Sequence, residues 1–348
     1  MKILAIAIPG IGNTLLAVPM LKELRRHFPK ARIDLLVGLH SSAEIMKGCP
    51  YTDNIYLINK KFEKDFFKNL STLMKLRKEG YDISITTIPA QQPHYNLLAA
   101  FVGAKKRITH DYKNNLVFLQ NYKMPLKICH DVEQNLNLLR PLGITAEANR
   151  GNYKLELWLS KDERDFAAAF VKGFKENIIV GMHPGSSEES HMVIKRWPIE
   201  KFAELSNLLI EKFNARILVF LGPDERNLKI IKNFVKYKDK VVIVEDPDIR
   251  KVAAIIKNCR LFISNDSGLM HISAALEVPT ISIFGRVDYR RTSPEGKMHV
   301  TIKTGGDLTT YAHSIEKLMG KKTETNLNRD LDKISVAEVF NACKSIGK

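Results

Sequence analysis

The sequence predicts an α/β protein built as two doubly wound parallel sheets, and three observations carry that expectation. A chain of 348 residues suits two domains of roughly 150 residues better than one core. Its apolar residues collect in short continuous runs such as "KILAIAI", "RIDLLVG" and "YDISITTI", the kind that a parallel sheet buries on both faces. Those runs alternate with stretches of helical period, and the alternation starts afresh in the second half.

In chain order, the first half offers helices over residues 15–28 and 62–80 between its three runs. The second half offers "NIIVGMH", "ARILVFLG", "DKVVIVE", "RLFISND" and "VPTISIFG", separated by helical stretches at 199–213, 227–234, 249–257 and 268–276. Periodicity lapses at "EANRGNYKLELWLSKDE", where Ser160 and Glu163 have the Ser-x-x-Glu spacing of a helix capping box, so the seam is placed there. The domains expected are 1–158 and 159–330. The rhythm weakens after Gly285, "GGDLTTYAHS" and "KKTETNLNRD" read as loop, and residues 331–348 close with a helix that can pack back across the seam.

Composition narrows the function classes. Fifty-four Lys and Arg against 38 Asp and Glu give a net charge of +16, a field that attracts anions. The basic residues are scattered or in short clusters, "KKFEK" and "GAKKR", with no basic tail and no stacking or groove-reading motif, so nucleic acid is not the expected partner. No apolar run approaches the roughly 20 residues of a membrane span, and "MKILAIAIPGIG" is too short for a signal peptide, which places the chain in the cytoplasm. Cys49, Cys129, Cys259 and Cys343 are too widely spaced to clamp a metal or build a disulfide framework and read as reduced thiols.

In open α/β sheets ligands bind beyond the carboxyl ends of the strands. In the second half those positions form a set. "GMHPGSS" puts His183, Pro184, Gly185, Ser186 and Ser187 after one strand, where small residues expose backbone N–H groups to a phosphate. "IKRWP" supplies Lys195 and Arg196 before a helix, and "LGPDER" supplies Glu225, a carboxylate suited to ribose hydroxyls. "SNDSGLMHISAAL" sets Asp266, Ser267 and Gly268 at a helix N-terminus that favours an anion, with His271 one turn inside. Each has an ordinary structural alternative as turn, cap or surface residue; their order along one half points to a single diphosphate site. "DPD" at 246–248 mimics a metal-binding DxD, but it follows a strand and opens a helix, so capping is expected and no metal.

The opening loop "PGIGNTLLAVP" is of another kind. Leu15 stands where a dinucleotide loop has its third glycine, and no GK[ST] follows. Gly10 and Gly12 permit a tight turn, and the stretch reads as an acceptor-facing lip of an inter-domain cleft.

The series "HPGSS…KRWP…LGPDE…NDSGLMHISAAL…VPTISIFG", with "GIGNTLLAVPMLKELRRHFP" and "NLLAAFVGAKKRI" before it, resembles glycosyltransferase family 9, the heptosyltransferase family of lipopolysaccharide core assembly. The resemblance implies a GT-B fold, with two Rossmann-like domains facing across a cleft, an acceptor domain first and a nucleotide-sugar domain second. It implies inverting, metal-independent transfer of a sugar, most often heptose from ADP-heptose, to a lipid-linked glycan acceptor, with the donor as substrate and no separate cofactor. Ser186 or Ser187, Lys195 and the Ser267–Gly268 helix start would then hold the diphosphate and stabilise the leaving group, Glu225 the ribose, and Asp266 and His271 would shape the helix start.

One position departs. Where family members carry an Asp after the opening glycines as GxGD, acting as the base, this chain has Asn13, and an amide cannot take the proton. The base can come from elsewhere, with Asp111 and His94 nearest by context, beside His110, Tyr95 and Tyr112. Otherwise the leaving group carries the reaction with little help, or the chain binds a nucleotide sugar without transferring it. A nucleotide-sugar epimerase of the same architecture is the other enzymatic alternative. Lys60, Lys61, Lys64 and Lys105 to Arg107 are expected to receive an anionic glycan or glycolipid acceptor, and +16 suggests peripheral contact with the inner membrane face.

Overall fold

A computed structural model describes residues 1–59, 62–112, 115–145, 153–174, 178–186, 192–311, 313–320 and 330–346. The chain divides into two compact units, the first holding residues 1–158 and the second beginning at Leu159. Residues 290–292 and the short helix Ile315–Leu318 group with the first unit, whereas the sequence reading put the whole of 159–330 in the second.

The first unit is a six-stranded sheet of β1 (Lys2–Ala7), β2 (Arg32–Val37), β3 (Asn54–Leu57), β4 (Ile83–Thr86), β5 (Lys106–His110) and β6 (Tyr122–Met124). Its order is β3-β2-β1-β4-β5-β6, and each neighbouring pair is parallel. The second unit repeats the plan with β7 (Ile178–His183), β8 (Ala215–Phe220), β9 (Val241–Val244), β10 (Leu261–Asn265), β11 (Thr280–Phe284) and β12 (His299–Lys303). Its order, β12-β11-β10-β7-β8-β9, is the same topology, again all parallel. In both sheets the winding reverses beside the first strand, between β1 and β4 and between β7 and β10. This reversal leaves a crevice at the carboxyl end of the strands.

The central strands are apolar on both faces because helices cover both. In the first unit Leu4 and Ile6 pack with Leu73 and Leu76 of the Phe66–Glu79 helix and with Leu98 and Val102 of the Pro93–Val102 helix. In the second, Met182, Ile217 and Ile263 pack with Phe202, Leu205 and Leu209 from the Ile199–Phe213 helix. The final helix, Val336–Ile346, adds Val339 and Cys343 to that same core, so its packing among the described residues is within the second unit.

Several local expectations meet a different geometry. The stretch 15–28 is two helices, Ile11–Leu16 and Val18–His27, with Pro19 in the first turn of the second. Neither opening glycine makes a left-handed turn: Gly10 is extended at φ 177°, and Gly12 lies inside the first helix. A sixth strand of the second sheet also forms after Gly285, where β12 makes the sheet edge. The Ser160–Glu163 capping box forms as read, Ser160 N–H donating to Glu163 Oε2 at 2.7 Å and Glu163 N–H to Ser160 Oγ at 3.2 Å. The cysteines are free thiols, three of them buried.

Candidate active site

The second sheet gathers its polar residues at the β7/β10 reversal. Ser264 of β10 lies in register with His183, the last residue of β7. Just past the end of β10 at Asn265, Asp266 and Ser267 lead into the Gly268–Ala275 helix, Ser267 capping it by accepting from Met270 N–H at 3.4 Å. The first turn of that helix points N–H groups and partial positive charge outward, and Ser267, Gly268 and Leu269 are only half-buried.

"KRWP" is clipped onto this end by three bonds. Lys195 Nζ donates to Asp266 Oδ2 at 2.6 Å, Arg196 Nη2 to the Ser186 carbonyl at 2.8 Å, and Trp197 N–H to Asn265 Oδ1 at 3.1 Å. Arg196 Nε also reaches Ser186 Oγ at 3.2 Å. Asn265 completes the clip by donating to the Pro184 carbonyl at 2.8 Å. Burial acts to raise the pKa of Asp266, but the Lys195 ammonium, with His271 and His313 nearby, outweighs it and holds the carboxyl below its ordinary value.

His183 bridges two further members. Its Nε2 lies 3.0 Å from Glu225 Oε2 and its Nδ1 2.8 Å from Ser267 Oγ. A carboxylate only accepts, so Nε2 carries a hydrogen and donates to Glu225, while Nδ1 stands at hydrogen-bond distance from the Ser267 hydroxyl. Gly222 N–H also donates to Glu225 Oε2, at 2.7 Å. Burial acts to raise Glu225 and the His183 bond, the larger of the opposing influences, brings it below the usual carboxylate range. Both bonds fall on Oε2, and Oε1 has no protein partner among the described residues.

Ser186, Lys195, Glu225, Asp266, Ser267 and Gly268 thus occupy one end of one sheet, and His271 is buried in the helix that Ser267 starts. Ser187 lies outside the described residues. Sequence reasoning placed His183 and Arg196 in the strand-end set without giving either a contact, and did not single out Asn265, although it ends the apolar run of β10. Asp246 and Asp248 behave as caps: Asp248 Oδ1 accepts from Arg250 N–H at 2.9 Å, and Asp246 Oδ1 from Asp248 N–H at 2.8 Å.

In the first unit Asn13 follows β1, His94 stands in the first turn of the helix after β4, and Asp111 directly follows β5. All three sit at the carboxyl edge of the sheet, but no hydrogen bond or ion pair among the described residues joins them. Asn13 is half-buried; His94 and Asp111 are exposed. His110 points into the interior and is fully buried, as is Tyr112, whose hydroxyl accepts from Ala90 N–H at 3.1 Å. Lys105, Lys106 and Arg107 sit at the opposite, amino end of β5. There Arg107 is engaged with the carbonyls of Leu119 and Ala104 at 3.0 and 2.9 Å, and Lys105 with Asp82 at 2.9 Å. Acceptor contact from that cluster is therefore corrected: a parallel sheet presents ligands at its other end. Lys60 and Lys61 lie outside the described residues.

Two parallel six-stranded sheets of this winding, the second carrying a cationic, hydroxyl-lined reversal point, define an α/β protein of the GT-B kind. The model of "Glycosyltransferase family 9 (heptosyltransferase)" matches residues 70–318, and the chain belongs to that family. It is 27% identical over 290 residues to lipopolysaccharide heptosyltransferase 3 of Escherichia coli K12, covering 80% of each chain. It is 26% identical over 333 residues to lipopolysaccharide heptosyltransferase 1 of Campylobacter coli, covering 90% of this chain and 92% of the relative. Among solved structures, a family 9 glycosyltransferase from Veillonella parvula has a TM-score of 0.81 at 22% identity, covering 99% of this chain and 96% of that one. E. coli heptosyltransferase WaaC with ADP-2-deoxy-2-fluoro heptose has a TM-score of 0.72 at 19% identity, covering 99% of each.

Proposed function

We propose that the chain transfers heptose from ADP-heptose to a lipopolysaccharide-core or related glycan, with inversion and without a metal. The observation that carries this reading is the convergence of Lys195, the Gly268 helix start and Glu225 at the β7/β10 reversal of the second sheet. Lys195 and the first-turn N–H groups meet the diphosphate; Glu225 Oε1 accepts a ribose hydroxyl; Ser186 lines the approach. As the bond from the anomeric carbon to the diphosphate oxygen breaks, charge grows on the departing ADP, and preorganised donors stabilise it most there. His183, Asp266 and His271 position these groups.

The acceptor hydroxyl attacks the anomeric carbon from the opposite face and gives its proton to a base of the first unit, His94 or Asp111, while Asn13 orients the acceptor by hydrogen bonding. Asn13 itself favours one second reading, a chain that binds a nucleotide sugar and transfers nothing. The protein acts on the cytoplasmic side, where a glycolipid acceptor lies at the membrane face.

Incubation with ADP-heptose and a core-oligosaccharide acceptor, followed by mass spectrometry, tests the proposal. A product heavier by one heptose, with ADP released, is expected. ADP-dependent thermal stabilisation without product supports the second reading, and an altered donor with no acceptor consumption makes the chain an epimerase. Stabilisation by neither ADP, UDP, GDP nor CMP removes the donor-site assignment.

A further inference from the structure

The Phe66–Glu79 helix carries two apolar stripes. One, with Leu73 and Leu76, is buried in the first unit's core. At the α-helical period Phe67, Leu70 and Met74 fall within about 60° of one another on a different side, and there they are 85%, 36% and 43% exposed. Phe66, 48% exposed, sets its ring edge-on to Phe67 with centroids 5.5 Å apart. Three large side chains adjacent on one convex surface are more than the scattered apolar residue that any soluble protein shows.

The surroundings of this stripe specify what it meets. Lys64, Lys68, Lys75 and Lys78 are exposed along its border, and none is paired with a carboxylate among the described residues. Lys75 Nζ instead lies 5.2 Å from the centre of the Tyr56 ring. Ser71, Met74, Lys75, Lys78 and Glu79 line a shallow groove beside the exposed stripe, and the Glu79 carboxylate there is already paired with Lys2 and Arg32. A phospholipid surface offers both halves of the match, acyl boundary for the aromatic and aliphatic groups and phosphate for ammonium groups on long flexible stems. The chain's +16 adds long-range attraction to an anionic leaflet.

We infer that this helix lies in the interface of an anionic lipid bilayer and holds the first unit on it. The inference deepens the proposed function, resting on its reading that the acceptor is a membrane glycolipid, but lipid binding is measured without any sugar transfer.

The test is flotation of the full chain with vesicles of phosphatidylglycerol and phosphatidylethanolamine, against vesicles of phosphatidylcholine. Retention on the anionic vesicles, lost on the neutral ones and weakened by salt, is expected. Phe67→Ser with Leu70→Ser lowers retention by about tenfold or more with the melting temperature unchanged, while Met298→Ser, an exposed apolar residue of the other unit, leaves it intact. Lys68→Glu with Lys78→Glu gives the same loss by the electrostatic route and covers the case in which the apolar pair perturbs folding. Equal retention of wild type and both double variants overturns the inference. So does a dimer in sedimentation that Phe67→Ser with Leu70→Ser disperses without changing flotation, since the stripe is then a self-association surface. Transfer to a soluble acceptor oligosaccharide, assayed in parallel, reports on the enzymatic reading alone.

Discussion

The carboxylate of Glu225 fills the space that a side chain at Gly185 would need: a β-carbon there would stand 1.9 Å from Oε1, 2.2 Å from Cδ and 2.6 Å from Oε2. Glu225 cannot swing aside without giving up His183 at 3.0 Å and Gly222 N–H at 2.7 Å. Gly185→Ala is therefore expected to raise the KM for donor by about 10–100-fold, the equivalent of one or two lost hydrogen bonds to a charged group. Glu225→Ala removes the obstruction as well as the acceptor, so the double variant is no worse than Glu225→Ala alone. Steady-state kinetics over donor concentration and ADP titration calorimetry measure both, and additive losses would show that the two residues act separately.

The Lys195–Asp266 pair gives a second expectation with a pH signature. The wild-type Asp266 carboxyl sits below its ordinary pKa, so its ionisation contributes stability above the unfolded value and that contribution is lost as pH falls through the folded one. In Lys195→Met, burial is no longer offset, the folded pKa rises above the unfolded one, and stability falls as pH increases beyond about 4. Denaturant unfolding should show a deficit of about 3 kcal/mol at pH 7 that narrows toward pH 4. Adding Asp266→Asn should recover most of that stability but not activity, because the cation proposed to meet the diphosphate is still missing. A deficit independent of pH would show that Lys195 acts through packing.

In the first unit the fully buried pair is Arg291 and Asp131, joined by two parallel bonds of 2.9 Å (Nε to Oδ1) and 2.7 Å (Nη2 to Oδ2). Asp131→Asn leaves a buried guanidinium without its counter-charge and should cost about 3–5 kcal/mol. Arg291→Met with Asp131→Leu should cost far less. Urea midpoints of the single and double variants check this, and equal losses in both would place the pair outside the stability of the unit.

How much of this the sequence declared follows from what each element buries. β1, β2 and β4 and the four inner strands of the second sheet are buried between neighbours and appear as mostly apolar runs, as does the edge strand β9, "VVIV". β3, β6 and β12 are edge strands and carry polar residues, as "NIYL", "YKM" and "HVTIK" do, and β5 begins with two cations, so none stands out. The candidate-site residues of the second sheet were legible because they stand where the apolar runs stop, the end at which parallel sheets bind ligands. The Arg291–Asp131 pair was not, its partners being 160 residues apart with no local pattern to mark either. The role of His183 was hidden for the same reason: a strand-end histidine reads alike whether it meets solvent or joins two side chains from distant strands.

His110 supplies an expectation about acid. Burial pushes its imidazole down to about 4, against smaller upward influences from the Met124 and Gln134 backbone. The unfolded chain takes up this proton near pH 6.5 and the native chain only near 4, so between those values the unfolded state binds more protons and stability falls as pH decreases. The loss attributable to His110 approaches about 3 kcal/mol at the bottom of that window. His110→Leu should flatten the stability profile between pH 6.5 and 4 whatever it does to the plateau above. An unchanged slope in that variant would assign the acid sensitivity to other groups.

The two candidate bases, His94 and Asp111, can be separated from an orienting Asn13 by rate. Asn13, His94 and Asp111 each follow a strand of the first sheet, at the edge where a parallel sheet presents its ligands. A true general base contributes about 10²–10⁴-fold to the transfer step, whereas an orienting amide at Asn13 contributes through acceptor binding. Replacing the base, His94→Ala or Asp111→Ala, should therefore lower kcat by at least about 10²-fold and remove the acid limb of its pH profile. Asn13→Ala should mainly raise the KM for acceptor. Asn13→Asp places a carboxylate after the opening glycines, at the carboxyl edge of β1. If it accelerates transfer while His94→Ala in that background becomes silent, the proton path has moved to residue 13, and His94 is identified as the base of the natural chain; the same logic applies to Asp111. Full activity in Asn13→Ala, His94→Ala and Asp111→Ala would mean that diphosphate departure alone carries the reaction, with Lys195 and the Gly268 helix start supplying the stabilisation.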